Sequence, residues 1–210
     1  MPRTPTKRRP VTRAALIDSA QALFTERGFH ATSISDIVER AGLTRGAFYS
    51  NYRDKEELFL ALYDAHTNSL LTALQEAAAE PATGPDTLER LLARIGERAR
   101  EPQWFLASME FTLHAARHPE LAAALADHEE RLVEGLATLL TVALARLDRR
   151  PAIPVADLSR LMISLFEGLA ALRASHGTRD DAQQLPQRVA PRILQALTEP
   201  LEKPGEPQGS

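Results

Sequence analysis

The chain has 210 residues, with 25 Lys and Arg against 28 Asp and Glu, 44% hydrophobic residues, 14 Pro and no Cys. That length suits one or two domains with cores of their own, and the lack of Cys excludes disulfides, thiolate nucleophiles, Cys-ligated zinc and iron–sulfur clusters and fits a reducing cytoplasm. Residues 1–55 hold 10 Lys and Arg and 5 Asp and Glu, whereas residues 56–210 hold 15 and 23, so a polyanion such as nucleic acid is expected to meet the amino-terminal end.

The first residues, with Arg3, Lys7, Arg8 and Arg9, read as a basic flexible arm over 1–11, and with Arg13 they are expected to add a mobile, sequence-tolerant contact to a polyanion. The arm leads into Asp18, Gln21, Thr25 and Glu26, not into the apolar run of a signal peptide. No window approaches about 18 consecutive apolar residues, so no membrane partner is expected and the expected location is cytoplasmic. Leu16, Ala20, Leu23 and Phe24 then recur at helical spacing, giving a helix over about 12–27 with Thr12 as N-cap and Gly28 as stop. Ser33 heads a second helix with Ile34, Ile37, Val38 and Ala41 as its apolar face, Asp36 at the capping-box position and Gly42 at its end. Thr44 caps a third, Arg45 to about Tyr52, and Asp54 a fourth, with Glu57 at the capping-box spacing.

The fourth helix continues through Leu58, Leu62, Ala65 and Leu70 to a break near residues 80–85. Further helices are expected at about 86–100, 102–118, 120–148, 155–176 and 186–199, punctuated by Pro102, Pro119, Pro151, Pro154 and Gly177. Pro191 has to sit in a first turn or kink the last helix. Residues 201–210 read as a disordered tail. No stretch alternates as a strand does, so the fold class is all-α.

Two short capped helices around a three-residue turn containing Gly42 are the layout of a helix-turn-helix, in which the second helix can lie in the major groove. Leu43, Ala47, Phe48 and Tyr52 share the face that packs on Ile34, Ile37 and Val38; Thr44, Arg45, Gly46, Tyr49, Ser50 and Asn51 occupy the other. Arg45 can bond guanine bidentately, Thr44 and Ser50 can reach phosphate or base, and Gly46 lets the backbone approach the duplex. Lys55, in the first turn of the fourth helix, adds a charge for a phosphate.

Residues 12–60 resemble the amino-terminal DNA-binding domain of TetR-family transcriptional regulators. The resemblance rests on Gly28-Phe29, Thr32-Ser33-Ile34, Asp36-Ile37, Ala41-Gly42 and Gly46-x-Phe48-Tyr49-x-x-Tyr52-x-x-Lys55-Glu56-x-Leu58, with Tyr52 where the family more often has Phe. It implies that Thr32 or Ser33 contacts phosphate, that Thr44, Arg45 and Gly46 open the recognition helix, that Tyr49, Ser50 and Asn51 continue its DNA-facing surface, and that Lys55 clamps the backbone. It further implies a three-helix DNA-binding domain over 12–58 and a helical effector-binding and dimerisation domain over 59–200. The function implied is that of a ligand-responsive repressor, a homodimer that binds a pseudo-palindromic double-stranded DNA operator and is released by a small apolar or amphipathic effector. The other reading is a regulator without a small-molecule effector, controlled by a protein partner or a corepressor.

In the body, Trp104, Phe105, Ser108, Met109 and Thr112, joined by Phe166, are expected to line the effector cavity, since aromatic density of this kind suits an apolar ligand. Glu110-Phe111 with Ala116-Arg117-x-Pro119-Glu120-Leu121 resembles a C-terminal domain common in the family. Glu110, His114 and His118 share a helical face at metal-ligand spacing, but His118 adjoins Pro119 where the helix ends and no further ligand is evident, so neither a metal nor a cofactor is expected. Leu158, Leu161, Met162, Leu165, Leu169 and Leu172 form a stripe too broad for one buried face, and Ile193, Leu194 and Leu197 supply a second. Two such helices per subunit make a four-helix dimer interface, which sets recognition helices about 34 to 36 Å apart. No Gly-rich phosphate loop, Gly-x-Ser-x-Gly or His-Glu-x-x-His is present, so an enzyme is not expected.

Overall fold

The computed structural model describes residues 8–79, 102–176 and 180–201. The arm before Arg8, the break at 80–85, the helix expected at 86–100 and the tail from residue 202 onward lie outside the described residues.

Helix α1 spans Arg8–Arg27, so Thr12 lies inside it and not at its cap. Pro10 hid this start: proline usually ends a helix, but in a first turn its missing N–H is one the helix leaves unpaired anyway. Gly28 closes α1 at φ 83°, its N–H donating to the Phe24 carbonyl at 2.8 Å, a left-handed exit that suits glycine. Helix α2 is Ile34–Arg40 and has its full capping box: the Asp36 N–H donates to Ser33 Oγ at 3.2 Å and the Ser33 N–H to Asp36 Oδ2 at 2.8 Å. Helix α3 is Arg45–Tyr49, capped by Thr44, whose Oγ1 accepts from the Ala47 N–H at 3.2 Å. It stops short of Tyr52 because Asn51 Nδ2 donates to the Ala47 carbonyl at 2.8 Å while the Asn51 N–H turns to Phe48, a side-chain bond competing with the helical one.

Helix α4, Lys55–Ala79, starts after Asp54, whose Oδ1 accepts from the Glu57 N–H at 2.7 Å. The Glu57 carboxylate accepts from the Arg53 N–H at 2.7 Å, one residue before the expected partner. Helices α5, Pro102–Ala115, and α6, Pro119–Arg146, each open on a proline, whose fixed φ suits a first helical position. Helix α7 is Val155–His176 and helix α8 is Asp180–Ala196. Helix α8 begins ahead of the expected 186 and carries Pro191 in its interior, where the missing N–H leaves the carbonyl four residues back without its helical donor.

The sequence did not announce a small ribbon: β1, Arg149–Pro151, pairs antiparallel with β2, Thr198–Pro200, with Arg149 opposite Pro200 and Pro151 opposite Thr198. The last helix therefore ends at Ala196 and not at 199. Three residues cannot show alternation, and the ribbon depends on long-range bonds. The Arg149 guanidinium donates to Thr198 Oγ1 at 2.8 Å and to the Thr198 carbonyl at 2.6 Å, and the Leu201 N–H reaches the Asp148 carbonyl at 2.7 Å.

Among the described residues, those up to 69 together with 102–129 form one compact unit, and 70–79 together with those from 130 onward a second. In the first, Phe59 is fully buried, stacks on Phe111 with ring centroids 4.2 Å apart, and meets Phe29 edge-on at 5.3 Å. Leu16 and Ala20 from α1, Ile37 from α2 and Phe48 from α3 complete the same core. In the second, Leu136, Leu140 and Leu144 of α6 pack with Leu158, Met162 and Phe166 of α7 and Leu194 of α8. No described helix is long and apolar enough to cross a membrane.

Phe59→Ala leaves a ring-sized cavity and is expected to cost about 3 to 5 kcal/mol of stability. Leu113→Ala, at a side chain 60% exposed, is expected to stay within about 0.5 kcal/mol. Denaturant unfolding of both variants checks this, and equal losses would contradict the core assignment.

Candidate nucleic-acid interface

Helix α3 has two chemically different sides. Phe48 is fully buried, whereas Thr44, Arg45, Gly46, Tyr49 and Ser50 are exposed, Tyr49 at 55%. Tyr49 is held edge-on to Phe48 with centroids 5.4 Å apart, so its phenol stands away from the core. Ser50 caps the end of α3, and its Oγ donates to the Gly46 carbonyl at 2.8 Å. At Gly46 an added Cβ would meet nothing closer than Thr44 Oγ1 at 3.8 Å; the protein itself has room for a side chain there. Ser33 is exposed at the start of α2.

Three residues expected at this surface turn inward. Thr32 is 1% exposed, and its hydroxyl donates to the Gly28 carbonyl at 2.9 Å and the Leu23 carbonyl at 3.3 Å, closing the end of α1 and leaving no hydroxyl for a phosphate. Asn51 is half-buried and spends its amide N–H on Ala47. Lys55 Nζ donates to the Phe29 and Thr32 carbonyls, both at 2.8 Å, and lies 4.2 Å from the centre of the Phe29 ring. Burial pushes the Lys55 ammonium below its ordinary 10.5, against the opposing charges of Glu56 and Glu110.

Glu110, spaced with His114 and His118 as a metal ligand would be, bonds instead to backbone: its Oε2 accepts from the Phe29 N–H at 2.8 Å and the His30 N–H at 3.3 Å. His114 Nε2 lies 3.4 Å from Glu56 Oε1, and His118 Nδ1 lies 2.8 Å from the His114 carbonyl. Among the described residues no group of three or more His, Asp or Glu is placed to hold a metal ion. Arg13, expected with the basic arm to add a mobile DNA contact, lies within α1, its guanidinium carbon 4.9 Å from the centre of the Tyr52 ring; an arginine facing an aromatic core position two helices later leaves no local signature.

The sequence pattern of bacterial regulatory proteins of the tetR family matches residues 16–62, from the middle of α1 into α4. The HTH-type transcriptional regulator YfiR of Bacillus subtilis is 23% identical over 158 residues, which is 74% of this chain and 77% of YfiR. The HTH-type transcriptional repressor AcnR of Corynebacterium efficiens is 23% identical over 175 residues, 83% of this chain and 88% of AcnR. The crystal structure of a Rhodococcus sp. RHA1 protein has the same fold, with a TM-score of 0.73 at 24% identity, covering 88% of this chain and 95% of that one. The chain carries the amino-terminal DNA-binding domain of the tetR family over residues 16–62. It is a DNA-binding transcriptional regulator.

The residues expected for effector and dimer contacts in this regulator divide between the two units. Trp104 is buried in the core of the first, between Phe59 at 5.6 Å and His66 at 4.5 Å, while Phe105, Ser108, Met109 and Thr112 are half-buried along α5. Phe166 belongs to the core of the second. The broad stripe on α7 separates into two faces: Leu158, Met162 and Leu169 are buried, and Leu161 and Leu172 are each 42% exposed. Leu165, Ile193 and Leu197 are half-buried, and Leu194 is fully buried.

The Ser33 hydroxyl, and after it the Ser33 N–H, hold the Asp36 carboxyl below its ordinary 3.8. A depressed folded-state value means that ionised Asp36 favours folding above the unfolded value and that this contribution is lost as pH falls through the folded one. Asp36→Asn is therefore expected to melt below the parent at pH 7, with the gap closing as pH drops below about 3.8. A gap that stays constant down to pH 2 would remove Asp36 from the account.

Proposed function

We propose that this regulator is a ligand-responsive repressor, a homodimer on a pseudo-palindromic operator that leaves DNA when a small apolar or amphipathic effector binds its helical body. The observation that carries the DNA-contacting part is the two-sided α3, with Phe48 inward and Thr44, Arg45, Gly46, Tyr49 and Ser50 outward. Short hydroxyl side chains, one guanidinium and a glycine suit a helix lying in a major groove: Arg45 reads a base edge, and Ser33, Thr44 and Ser50 take phosphates or bases. Lys55 and Thr32 act from beneath, holding the turn that leads into α2, and Asn51 ends α3.

Repression is the sign suggested by the similarity to AcnR, whose name carries it. For the effector, the half-buried residues Phe105, Ser108, Met109 and Thr112 offer mixed apolar and hydroxyl chemistry on one helix. For the dimer, Leu161 and Leu172 lie with Gly168 on the outer face of α7, and at Gly168 an added Cβ would meet nothing within 4 Å. A small residue in an apolar outer stripe allows a second helix to come close.

Selection of sheared genomic DNA at about 150 mM salt, which suppresses weak phosphate-only binding, is expected to recover one pseudo-palindrome with the parent and none with an Arg45→Ala/Tyr49→Ala variant. Equal enrichment by both would place the DNA contacts elsewhere. Leu161→Arg with Leu172→Arg is expected to give a monomer in sedimentation at micromolar concentration while helical circular dichroism is retained. A dimer that survives both charges would rule out this face of α7.

A further inference from the structure

The turn between α1 and α2 is held from two directions at a single residue. The N–H of Phe29 points at a carboxylate from α5, Glu110 Oε2 at 2.8 Å, and its carbonyl at an ammonium from α4, Lys55 Nζ at 2.8 Å. Each charge meets the end of the peptide dipole that attracts it, and bonds of this charge-assisted kind are about twice as strong as neutral ones. The second bond of each group extends the grip along the turn, from Glu110 to the His30 N–H at 3.3 Å and from Lys55 to the Thr32 carbonyl at 2.8 Å. Room for the carboxylate comes from Gly28, where a Cβ would stand 2.5 Å from Glu110 Oε1 and 2.7 Å from Oε2. Gly28 is thus required twice, by its φ of 83° and by the side chain above it.

The chain leaves this grip at Thr32 and becomes the α2 cap at Ser33. Helix α2 passes its placement to α3 through the bond from the Leu43 N–H to the Val38 carbonyl at 2.8 Å, and α3 has Phe48 as its one fully buried side chain. Phe111 and His114 on α5 also touch the Phe29 ring, at centroid distances of 5.1 and 5.5 Å, but ring contacts tolerate sliding. A pair of N–H···O bonds does not.

We infer that Glu110 is a positioning residue for operator recognition: through the Phe29 and His30 amides it fixes where α2 and α3 stand. This rests on the proposal that α3 contacts the operator. An acceptor at this point, not merely a negative charge, is what the turn needs, so the side-chain length at 110 matters more than its ionisation.

The test uses the full-length chain and the operator recovered by genomic selection, with affinities from fluorescence anisotropy at about 150 mM salt, below the melting point of every variant. Glu110→Ala and Glu110→Asp, the latter one methylene too short, are expected to lose about tenfold in operator affinity. Glu110→Gln, which keeps an oxygen at the same reach, is expected to stay within about threefold of the parent, and affinity for unrelated DNA is expected to be unchanged in all three. Combined with Arg45→Ala, the Glu110→Ala loss is expected to be smaller than in the parent, because a misplaced helix has fewer contacts left to lose. A role in folding alone would instead multiply the two losses.

Parent-like operator binding by Glu110→Ala, with Arg45→Ala impaired, overturns this inference and leaves the DNA-binding proposal standing. Parent-like binding by Arg45→Ala overturns both. If Glu110→Ala does not fold, the Asp and Gln variants decide, and an impaired Gln beside an unimpaired Asp would mean that charge and not reach is what counts, contrary to the inference.

Discussion

Five helical residues close too few hydrogen-bonded turns to persist in water, since isolated helices below about 12 to 15 residues are marginal. Helix α3, Arg45–Tyr49, is of that size and yet presents Arg45 and Tyr49 to the outside between the exposed caps Thr44 and Ser50. Burying Phe48 contributes about 1.5 to 3 kcal/mol, while ordering five residues costs about 1 to 2 kcal/mol each. The anchor cannot hold the helix unaided. The remainder comes from the Thr44 cap, from the bond between Leu43 and Val38, and from the floor that Phe48 sits on, a core shared by α1, α2, α4 and α5. The aromatic packing of Phe24, Phe29, Phe59 and Phe111 beneath is therefore a condition for the short helix above it to exist.

What was legible in the sequence was local. The Ser33 and Thr44 caps, the Gly28 and Gly42 exits and the helical spacing of Leu16, Ala20 and Ile37 are all written within a few residues of where they act, and the structure has them. What was not legible depends on partners far along the chain. Lys55 looks like a free cation at a helix start until the Phe29 and Thr32 carbonyls are seen to satisfy it. Glu110 shares a spacing with two histidines, and nothing in that spacing reveals that a turn some 80 residues earlier takes its carboxylate. The α7 stripe shows a related limit: periodicity flagged its apolar residues, but only packing divides them into Leu158 and Met162 inside and Leu161 and Leu172 outside.

Lys55 also bears on the electrostatics of the head. A half-buried ammonium is costly to desolvate, and here the cost is offset by two carbonyls, the face of an aromatic ring and nearby carboxylates. The charge that the sequence assigns to DNA is thus partly committed to the interior. On α3 the one outward positive charge is that of Arg45.

The first compact unit is discontinuous in the chain: residues 8–69 need 102–129 to complete their core, because Trp104, Phe111 and Leu125 close it and Glu110 bonds its turn. On a ribosome adding about 5 to 20 residues per second, the amino-terminal helices emerge several seconds before the residues that cover them. During that interval Phe29 and Phe59 lack their lid, and the nascent head is an apolar surface open to chaperones or to other nascent chains. The amino-terminal core is therefore completed late in synthesis, although its first helices are among the first to be made.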